Sequence, residues 1–310
     1  MLTFSLILPT CNRAELVKKF LESVSRQVVL PSEVIVVDQS DGPATKDIFT
    51  AWNVPGVSKK YIYQQVKSLI LARHKGLDAC APMDLAAFFD DDVLLGPAFF
   101  KEMIQIFAKD IDGRFAGGMG AVDGWPYRPK PLQALFLMPH EGSGKFLASG
   151  VQTFPHWKKE FCETEFLSGG CTFWRRKIIQ QYRFDERLSG YGHGDDVDVS
   201  YRISRRYKLF FQPKAVCFHQ HNPPGRDQGR KYRRTWIQNM YYLAQKNEIF
   251  MPAYAWCVLG HFLRDCVCLD FPRVQGDLEG VWNILRGRLD TVKDYGEFQC
   301  EKKSFKKLER

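Results

Sequence analysis

The sequence predicts an α/β protein with a mostly parallel central sheet flanked by helices. Two features of the first ninety residues lead to this prediction. Short apolar runs alternate with stretches in which apolar residues recur every three or four positions, and this alternation is typical of parallel sheets covered by helices on both faces. The run at residues 34–37 is β-branched throughout, as expected of a strand that is buried on both faces.

The predicted elements follow in order along the chain. Strands are predicted at residues 4–8, 34–37, 60–63 and 85–89, and helices at residues 16–24, 69–80 and 97–107. Residues 112–160 are rich in Gly, Pro and aromatic residues with weak periodicity, which predicts an insertion of short strands and loops. A C-terminal helical extension is predicted at residues 235–295, followed by a loose basic tail at residues 301–310.

Composition favours a soluble globular protein. The 310 residues are 45% hydrophobic and 25% charged, which is enough apolar material for a sizeable core. The net charge of +9 indicates an anionic partner, and nucleic acid, an anionic membrane surface and phosphorylated small molecules all meet that condition. The glycine motifs of dehydrogenases and P-loop enzymes are absent, which disfavours both classes.

Cysteine usage and hydropathy predict a cytoplasmic chain. The nine cysteines include no C-x-x-C pair, which disfavours a zinc ribbon, and the start of the chain lacks the basic segment of a secretory signal. Free thiols in a reduced compartment are the simplest account. The most apolar stretch, residues 249–263, is interrupted by Pro252 and His261 and is shorter than the roughly 20 residues that span a bilayer. It predicts a core or interfacial helix.

Three consecutive carboxylates, Asp90, Asp91 and Asp92, interrupt an apolar run at the end of a predicted strand. Neighbouring carboxylates repel one another, and their burial is costly without a compensating cation. Because side chains alternate along a strand, Asp90 and Asp92 would share a face and could hold Mg²⁺ or Mn²⁺ together with phosphate oxygens of a substrate. A helix cap and a solvated turn are the structural alternatives.

A second acidic cluster, Asp195, Asp196 and Asp198, opens a predicted helix behind the glycine-rich segment at residues 190–194. One interpretation is that the acids complement the helix dipole. The other is that one carboxylate acts as a general base, held firmly at the open end of the helix. Both interpretations remain open at the level of sequence.

The paired glycines Gly169 and Gly170 precede an aromatic segment that contains Trp174. Glycines leave room for a sugar against the backbone, and Trp174 would then offer a stacking surface. A plain turn explains the same residues equally well.

The predicted strand that ends at residue 221 places His219 and His221 on one face. Either the histidines are structural, or one of them joins the carboxylates on a metal, where a mixed imidazole and oxygen set suits Mn²⁺. A basic cluster follows between Arg226 and Arg234. It is interpreted either as a solvated helix face or as a contact for phosphate or an anionic surface.

Five of these segments, in this order, resemble the inverting glycosyltransferases of family 2, which have the GT-A type, Rossmann-like fold. LILPTCNR is similar to the family's first strand, EVIVVDQSDG to its nucleotide-contacting strand, AAFFDDDV to its D-x-D strand, FLSGGCTFWRR to its acceptor-side loop and GDDVDVSYR to the segment that carries its catalytic base. The resemblance covers residues 2–222. Beyond them, the chain more loosely resembles the C-terminal helices of bacterial polysaccharide-building members.

The resemblance implies a role for each matching position. It implies nucleotide-sugar binding by Pro9, Thr10, Arg13, Asp38, Arg73, Asp90 and Asp91; acceptor binding by Gly169, Gly170, Trp174 and Asp195; metal binding by Asp92 and His219; and proton abstraction by Asp196. Two positions depart from the family's pattern. Asp195 stands where Glu is more frequent, and Gln39 follows Asp38 where a second acid is frequent, so acceptor contacts and donor choice stay open.

The function that the resemblance implies is transfer of a sugar, with inversion, from a nucleoside-diphosphate sugar to a hydroxyl of a glycan or lipid-linked acceptor. Mn²⁺ or Mg²⁺ is the implied cofactor, a UDP- or dTDP-sugar the implied donor, and surface polysaccharide synthesis the implied context. Residues 1–95 would bind the donor, residues 96–222 would form the acceptor and catalytic half of the same domain, and residues 223–310 the helical region.

The implied location is the cytoplasm, with peripheral attachment to the inner face of the membrane compatible with the apolar stretch and the basic tail. Nucleic acid is not an expected partner. A nucleotidyltransferase acting on sugar phosphates and a catalytically dead glycan- or nucleotide-binding module are the alternatives.

Overall fold

A computed structural model describes residues 2–123, 130–156, 158–188, 192–220 and 229–294. The strands are β1 (Phe4–Thr10), β2 (Glu33–Asp38), β3 (Ser58–Tyr63), β4 (Leu85–Phe89), β5 (Val93–Leu95), β6 (Phe115–Val122), β7 (His140–Glu141), β8 (Thr153–Phe154), β9 (Cys162–Thr164), β10 (Cys171–Arg175) and β11 (Lys208–His219). The helices are α1 (Ala14–Ser25), α2 (Ala44–Ala51), α3 (Leu69–Ala79), α4 (Phe99–Lys109), α5 (Pro131–Leu135), α6 (Arg176–Tyr182), α7 (Asp195–Ser204), α8 (Arg230–Lys246), α9 (Met251–Val267) and α10 (Phe271–Leu285).

The central sheet has the strand order β3-β2-β1-β4-β10-β6-β11-β5, with β9 paired to β11. The first four strands of this order are parallel to one another, and β6 is parallel to β11. Strands β10, β5 and β9 run antiparallel to their neighbours. The prediction of a mostly parallel sheet with flanking helices is confirmed. Because β4 lies beside β10, the segments before and after residue 95 share one sheet.

Strand β6 lies near the middle of the sheet, so the prediction that all of residues 112–160 form an insertion is wrong. Three glycines weaken its apolar pattern, yet each one makes room for a large neighbour. A Cβ atom at Gly118 would lie 2.2 Å from the Phe210 ring, and one at Gly120 would lie 2.4 Å from the Phe99 ring. The glycines therefore stand where the core aromatics need the space, and hydropathy alone cannot show this.

The acidic triplet lies in a turn between β4 and β5, where the Val93 N–H donates to the Asp90 carbonyl at 3.3 Å. The alternation expected of a continuing strand is therefore wrong for these residues. The turn is nevertheless not solvated, since Asp91 and Asp92 are buried. The carboxylates lie at the carboxyl end of the sheet, where parallel α/β sheets bind their ligands.

An aromatic cluster on one face of the sheet fixes the strands that carry the site. Phe4, Phe89, Phe99, Phe100 and Phe173 are each at most 1% exposed, and their ring centroids lie 5.1 to 6.5 Å apart in mostly edge-to-face pairs. Such pairs add to the stabilisation that comes from burial. The ends of β4 and β10 are held side by side by this cluster.

The predicted C-terminal helical extension is confirmed as α8, α9 and α10. Helix α10 packs closely on α8 through small residues. A Cβ atom at Gly276 would lie 2.3 Å from the Arg230 carbonyl oxygen, and one at Gly280 would lie 2.9 Å from the Ile237 Cβ. None of the helices in the described ranges is both long enough and apolar enough to cross a membrane.

Candidate functional site

The turn after β4 and the end of β11 bring two carboxylates and an imidazole together. One ligand atom from each of Asp90, Asp92 and His219 lies within 4.8 Å of the others, and His219 Nε2 lies 3.2 Å from Asp92 Oδ1. Asp92 and His219 are largely buried, whereas Asp90 is more exposed. Two carboxylates and one imidazole suit Mn²⁺, with coordination positions left for phosphate oxygens and water. These residues therefore fit the predicted divalent metal.

Asp91 points into the protein and ties the acidic turn to β1. Its carboxylate accepts a hydrogen bond of 2.6 Å from the Thr10 hydroxyl and one of 3.0 Å from the Arg13 guanidinium. Burial raises the pKa of Asp91 to about 6, although both partners lower it. Arg13 also lies 3.4 Å from Asp92. Asp91 and Arg13 thus hold the turn in place, a role that the sequence did not indicate for Asp91.

Helix α7 begins with the second pair of carboxylates. Gly194 precedes it in the left-handed conformation at φ 92° and offers no side-chain cap, so the acids themselves complement the helix N-terminus. Asp196 accepts from the Val197 N–H at 2.8 Å and from the Gly169 N–H at 3.2 Å. Burial is the main cause that raises the pKa of Asp196. A carboxylate with a raised pKa that stays partly exposed has the properties of a general base.

Arg73, on α3, joins the two carboxylate groups. It is 3% exposed, forms an ion pair with Asp195 and lies 3.6 Å from Asp90 Oδ1. The pKa of Asp195 is raised to about 7, mainly by burial and also by the charge of the nearby Asp196, while Arg73 opposes both. Arg73 is therefore the cation that makes this density of buried acids tolerable.

The predicted pair Gly169 and Gly170 lies between the two groups. A Cβ atom at Gly169 would lie 3.0 Å from Arg73 Nη2 and 3.5 Å from the Asp196 Cβ, and one at Gly170 would lie 3.0 Å from Asp90 Oδ2. The Gly170 carbonyl accepts from the Asp90 N–H at 3.0 Å. Both glycines thus leave room for the side chains of Arg73 and Asp90 close to the backbone.

Besides Thr10 and Asp91, whose side chains bond to each other within the protein, three more sequence-predicted residues do not face the site. Trp174 is 1% exposed, packs over Gly117 and donates its indole N–H to Thr172 at 3.0 Å. The prediction that Trp174 offers a stacking surface is therefore wrong, because the side chain fills the core. Pro9 is buried within β1. Asp38 is fully buried, and its two oxygens accept from the Ser40 N–H and the Tyr61 hydroxyl, so both oxygens of its carboxylate are bonded within the protein.

The exposed rim beside Asp38 consists of residues that were not among the predicted ligand-binding positions. Asn12, at φ 57°, donates to Asp41 at 2.8 Å and accepts from the Asp41 N–H at 2.9 Å. Lys67 forms an ion pair of 2.8 Å with the same carboxylate. The sequence signal was weak, since it consists of one Asn in a strand-end loop and a Lys 26 positions after Asp41.

The basic cluster has a structural role where it is described. Arg230 pairs with Glu279, and Arg233 is buried against Asp265 and Asp277. These ion pairs link α8 to α9 and α10, so they favour a structural role for the two arginines over phosphate binding. Gly190, Tyr191, His221, Arg226 and the tail at residues 301–310 lie outside the described residues.

Replacing Arg73 with Met is expected to destabilise the fold more at pH 8 than at pH 5. The variant leaves Asp195 buried without its cation, which raises the pKa of Asp195 above about 7. A carboxyl whose folded pKa is raised stabilises the fold below its unfolded pKa, near 4, and loses that stabilisation as the pH rises through the folded pKa. Because the parent and the variant differ in the titration of Asp195 only above about pH 7, we expect the loss of unfolding free energy to be about 1 kcal/mol larger at pH 8 than at pH 5, measured by urea unfolding.

The double variant Arg73→Met, Asp195→Asn is the control. It removes both charges, so its unfolding free energy should lose most of the extra pH dependence. An equal loss at both pH values in the single variant would show that Arg73 acts through packing alone.

Comparison with known proteins places this geometry in a family. The model of the family described as "Glycosyltransferase like family 2" matches residues 3–239. The chain is 24% identical over 220 residues to the validoxylamine A glucosyltransferase of Streptomyces hygroscopicus subsp. limoneus, a match that covers 64% of this chain and 47% of that protein. It therefore spans about half the length of that relative.

Two further proteins are similar over more of their length. The chain is 23% identical over 245 residues to the O-antigen chain rhamnosyltransferase RfbN of Salmonella typhimurium, covering 75% of this chain and 71% of that protein. The structure of the mannosyltransferase PcManGT from Pyrobaculum calidifontis, in complex with GDP-Man and Mn²⁺, superposes with a TM-score of 0.56 at 15% identity, covering 92% and 87% of the two chains. The fold is thus of the GT-A type, and the family match, which spans most of the chain, shows that this protein belongs to the glycosyltransferase like family 2.

Proposed function

We propose that the protein transfers a sugar, with inversion and with the help of a divalent metal, from a nucleoside-diphosphate sugar to an acceptor hydroxyl. One observation carries the proposal. Two separate carboxylate groups, Asp90 with Asp92 and Asp195 with Asp196, meet at the carboxyl end of one sheet with two glycines between them. A displacement of this kind needs one group for the departing diphosphate and another for the attacking hydroxyl.

Asp90, Asp92 and His219 would hold Mn²⁺ or Mg²⁺. The bound ion would neutralise charge on the diphosphate leaving group. On this side of the site, the chain's own contribution is to fix the ligands: Asp91 and Arg13 hold the acidic turn.

Asp196 would accept the proton of the acceptor hydroxyl. Burial raises the pKa of Asp196 towards neutral pH, where a general base works best. The hydrogen bond from the Gly169 N–H fixes the orientation of the carboxylate. The deprotonated oxygen forms its bond to the anomeric carbon on the face opposite to the diphosphate, as the bond to the diphosphate oxygen breaks. This single displacement inverts the anomeric carbon and needs no nucleophile from the protein.

The donor's nucleoside would lie against the ends of β1 and β2. Asn12, Asp41 and Lys67 form the exposed rim there, and Asp38 with Tyr61 supports it from within. UDP- and dTDP-sugars are the first candidates, and GDP-mannose, which is bound in the similar mannosyltransferase structure, is the third.

The acceptor that we propose is a hydroxyl of a glycan or lipid-linked glycan in surface polysaccharide synthesis, at a cytoplasmic location. Support comes from the name of the O-antigen chain rhamnosyltransferase that this chain resembles. The short distances from Gly169 and Gly170 to Arg73, Asp196 and Asp90 would bring an acceptor at this loop close to the proposed base.

A donor panel tests the proposal. UDP-, dTDP- and GDP-sugars are each added with Mn²⁺, and thermal stability and slow donor hydrolysis are measured. A donor present at a hundred times its Kd should raise the melting temperature by about 5 °C, and chelation of the metal should abolish the rise. Pyrophosphate release from a nucleoside triphosphate and a sugar phosphate would indicate a nucleotidyltransferase instead, and binding without hydrolysis or transfer would indicate a binding module.

A further inference from the structure

Asp198 lies on α7 shortly after the proposed base, and it binds partners of its own. Its side chain is fully buried, and a buried carboxylate is costly without compensating cations. Two cations meet its Oδ2 atom: Arg202, further along α7, lies at 2.8 Å, and Lys246, at the end of α8, lies at 2.9 Å. The Asn247 side-chain amide donates to Oδ1 at 3.1 Å. Asp198 therefore ties α7 to the C-terminal end of α8.

The Lys246 ammonium also binds a second carboxylate. Its Nζ lies 2.6 Å from Asp185 Oδ2, and the Tyr242 hydroxyl donates to the same oxygen at 2.7 Å. Burial acts to raise the pKa of Asp185, but Lys246 outweighs it and lowers that pKa below its ordinary value, so the carboxylate is charged at neutral pH. Asp185 precedes the glycine-rich segment at residues 190–194, and Asp198 follows it. One ammonium thus holds the chain on both sides of that segment.

This network is shielded from water. The side chain of Lys246 is 23% exposed, and those of Asp185 and Asp198 are 10% and 0% exposed. Exposed ion pairs hold helices weakly because water and salt screen them, whereas buried pairs are screened much less and require good geometry. The two short distances to the Lys246 ammonium meet that requirement, so the network can hold α7 in one position.

The segment that carries Asp185 also contacts α3, which supplies the cation that pairs with Asp195. The Arg73 guanidinium lies 5.1 Å from the centroid of the Phe184 ring, and Arg73 in turn pairs with Asp195. A second set of contacts therefore connects Lys246 to the first turn of α7, by way of Phe184 and Arg73.

The first turn of α7 needs such support. Asp195, Asp196 and Asp198 fall within four residues, and like charges at this spacing repel one another. Gly194, which precedes the helix, provides no side-chain cap. Arg202 lies on α7 itself, so it cannot fix the position of that helix relative to α8.

We propose that Lys246 is a positioning residue for the proposed base Asp196, an inference that rests on the proposed function. Proton abstraction depends on where the carboxylate lies, and a displacement of about 1 Å in a reacting group can lower a rate about a hundredfold. By holding Asp198 and Asp185 together, Lys246 keeps the start of α7, and the base on it, in place against α8 and α3.

Lys246→Met tests this inference. Asp198 keeps Arg202 and the Asn247 amide in this variant, so the protein should fold. We expect hydrolysis of the donor identified by the panel to fall about ten- to a hundredfold. The Kd for the nucleoside diphosphate of that donor (UDP, dTDP or GDP), measured with Mn²⁺, should change less than about twofold. Lys246→Arg keeps the positive charge and should recover most of the lost rate.

A double-mutant cycle separates positioning from general stability. In an Asp196→Asn background, Lys246→Met should lower the remaining hydrolysis rate less than about twofold, because it acts through a base that is no longer present. A residue that only stabilised the fold would lower the rate by the same factor in both backgrounds. The matched control is Lys208→Met, which should keep the parent's rate. Its ion pair of 3.0 Å with Glu163 lies at the opposite end of β11 from His219.

The outcomes distinguish this inference from the function on which it rests. If the parent protein hydrolysed no donor, the proposed function would fail, and the role of Lys246 would fail with it. If the parent hydrolysed its donor and Lys246→Met did so at the same rate, only the role of Lys246 would be wrong. An equal loss of rate in both backgrounds, or a loss of nucleotide affinity as large as the loss of rate, would also overturn that role.

Discussion

Replacing Asp196 with Asn is expected to lower the rate of sugar transfer by about a thousandfold, while the affinity for the nucleoside diphosphate changes less than about twofold. The amide keeps the shape of the carboxyl group but cannot take a proton from the acceptor. Asp196 is not one of the three residues of the metal cluster, and its carboxylate accepts from the Val197 and Gly169 N–H groups. Steady-state transfer and calorimetric nucleotide binding, measured on the same preparation, separate the two effects.

The matched control for this variant is Asp112→Asn, which changes an exposed carboxylate away from the site and should leave both quantities unchanged. The acid limb of the pH profile gives a second readout. Since burial raises the pKa of Asp196, transfer in the parent protein should decline at a higher pH than an ordinary aspartate would cause. If transfer and nucleotide affinity fell together, Asp196 would be a helix cap and not the base.

The second large effect is expected for Asp92→Asn, which should weaken Mn²⁺ binding by about a hundredfold or more, because residues that only orient a metal ligand already contribute about ten- to a hundredfold. Asp92 is 4% exposed and lies beside His219 and Arg13, so the amide would keep the packing but remove the charge. Mn²⁺ binding is measured by calorimetry, and donor hydrolysis is measured as Mn²⁺ is titrated.

His219→Gln should show a smaller loss of Mn²⁺ affinity than Asp92→Asn, since it removes a neutral ligand. His140→Gln, a histidine whose ring bonds to the Met138 carbonyl away from the cluster, is the control and should bind Mn²⁺ normally. Full transfer activity of Asp92→Asn in the presence of a chelator would refute the proposed metal site.

The sequence predicted those parts of the fold that depend on local pattern. Strand β4 ends where the apolar run ends, at Phe89, and α3 begins within the predicted span because Ser68 caps it. Strand β6 was missed because its glycines make room for the rings of Phe210 and Phe99, which are distant in sequence. Packing requirements of this kind do not show in the hydrophobic periodicity of the sequence.

The residues of the candidate site that follow strand ends were predictable from the sequence, whereas contacts between distant segments were not. Asp90, Asp92 and His219 do come together, because strand ends at one edge of a parallel sheet converge. The ion pair between Arg73 and Asp195 joins residues 122 positions apart, and no local pattern pairs them. Trp174 was misassigned because an indole beside glycines has the same sequence signature whether it faces a sugar or the core.

The position of Arg73 between Asp90 and Asp195 has a thermodynamic consequence. The negative charge of Asp90 is one of the causes that raise the pKa of Asp195 and of Asp196. A divalent metal bound by Asp90 would neutralise that charge, and both carboxyls would become more acidic and release protons to solvent. By linkage, metal binding would then strengthen with rising pH. The protein would thus ready its base only after the metal is in place, and would impose an order on a reaction that chemistry alone leaves unordered.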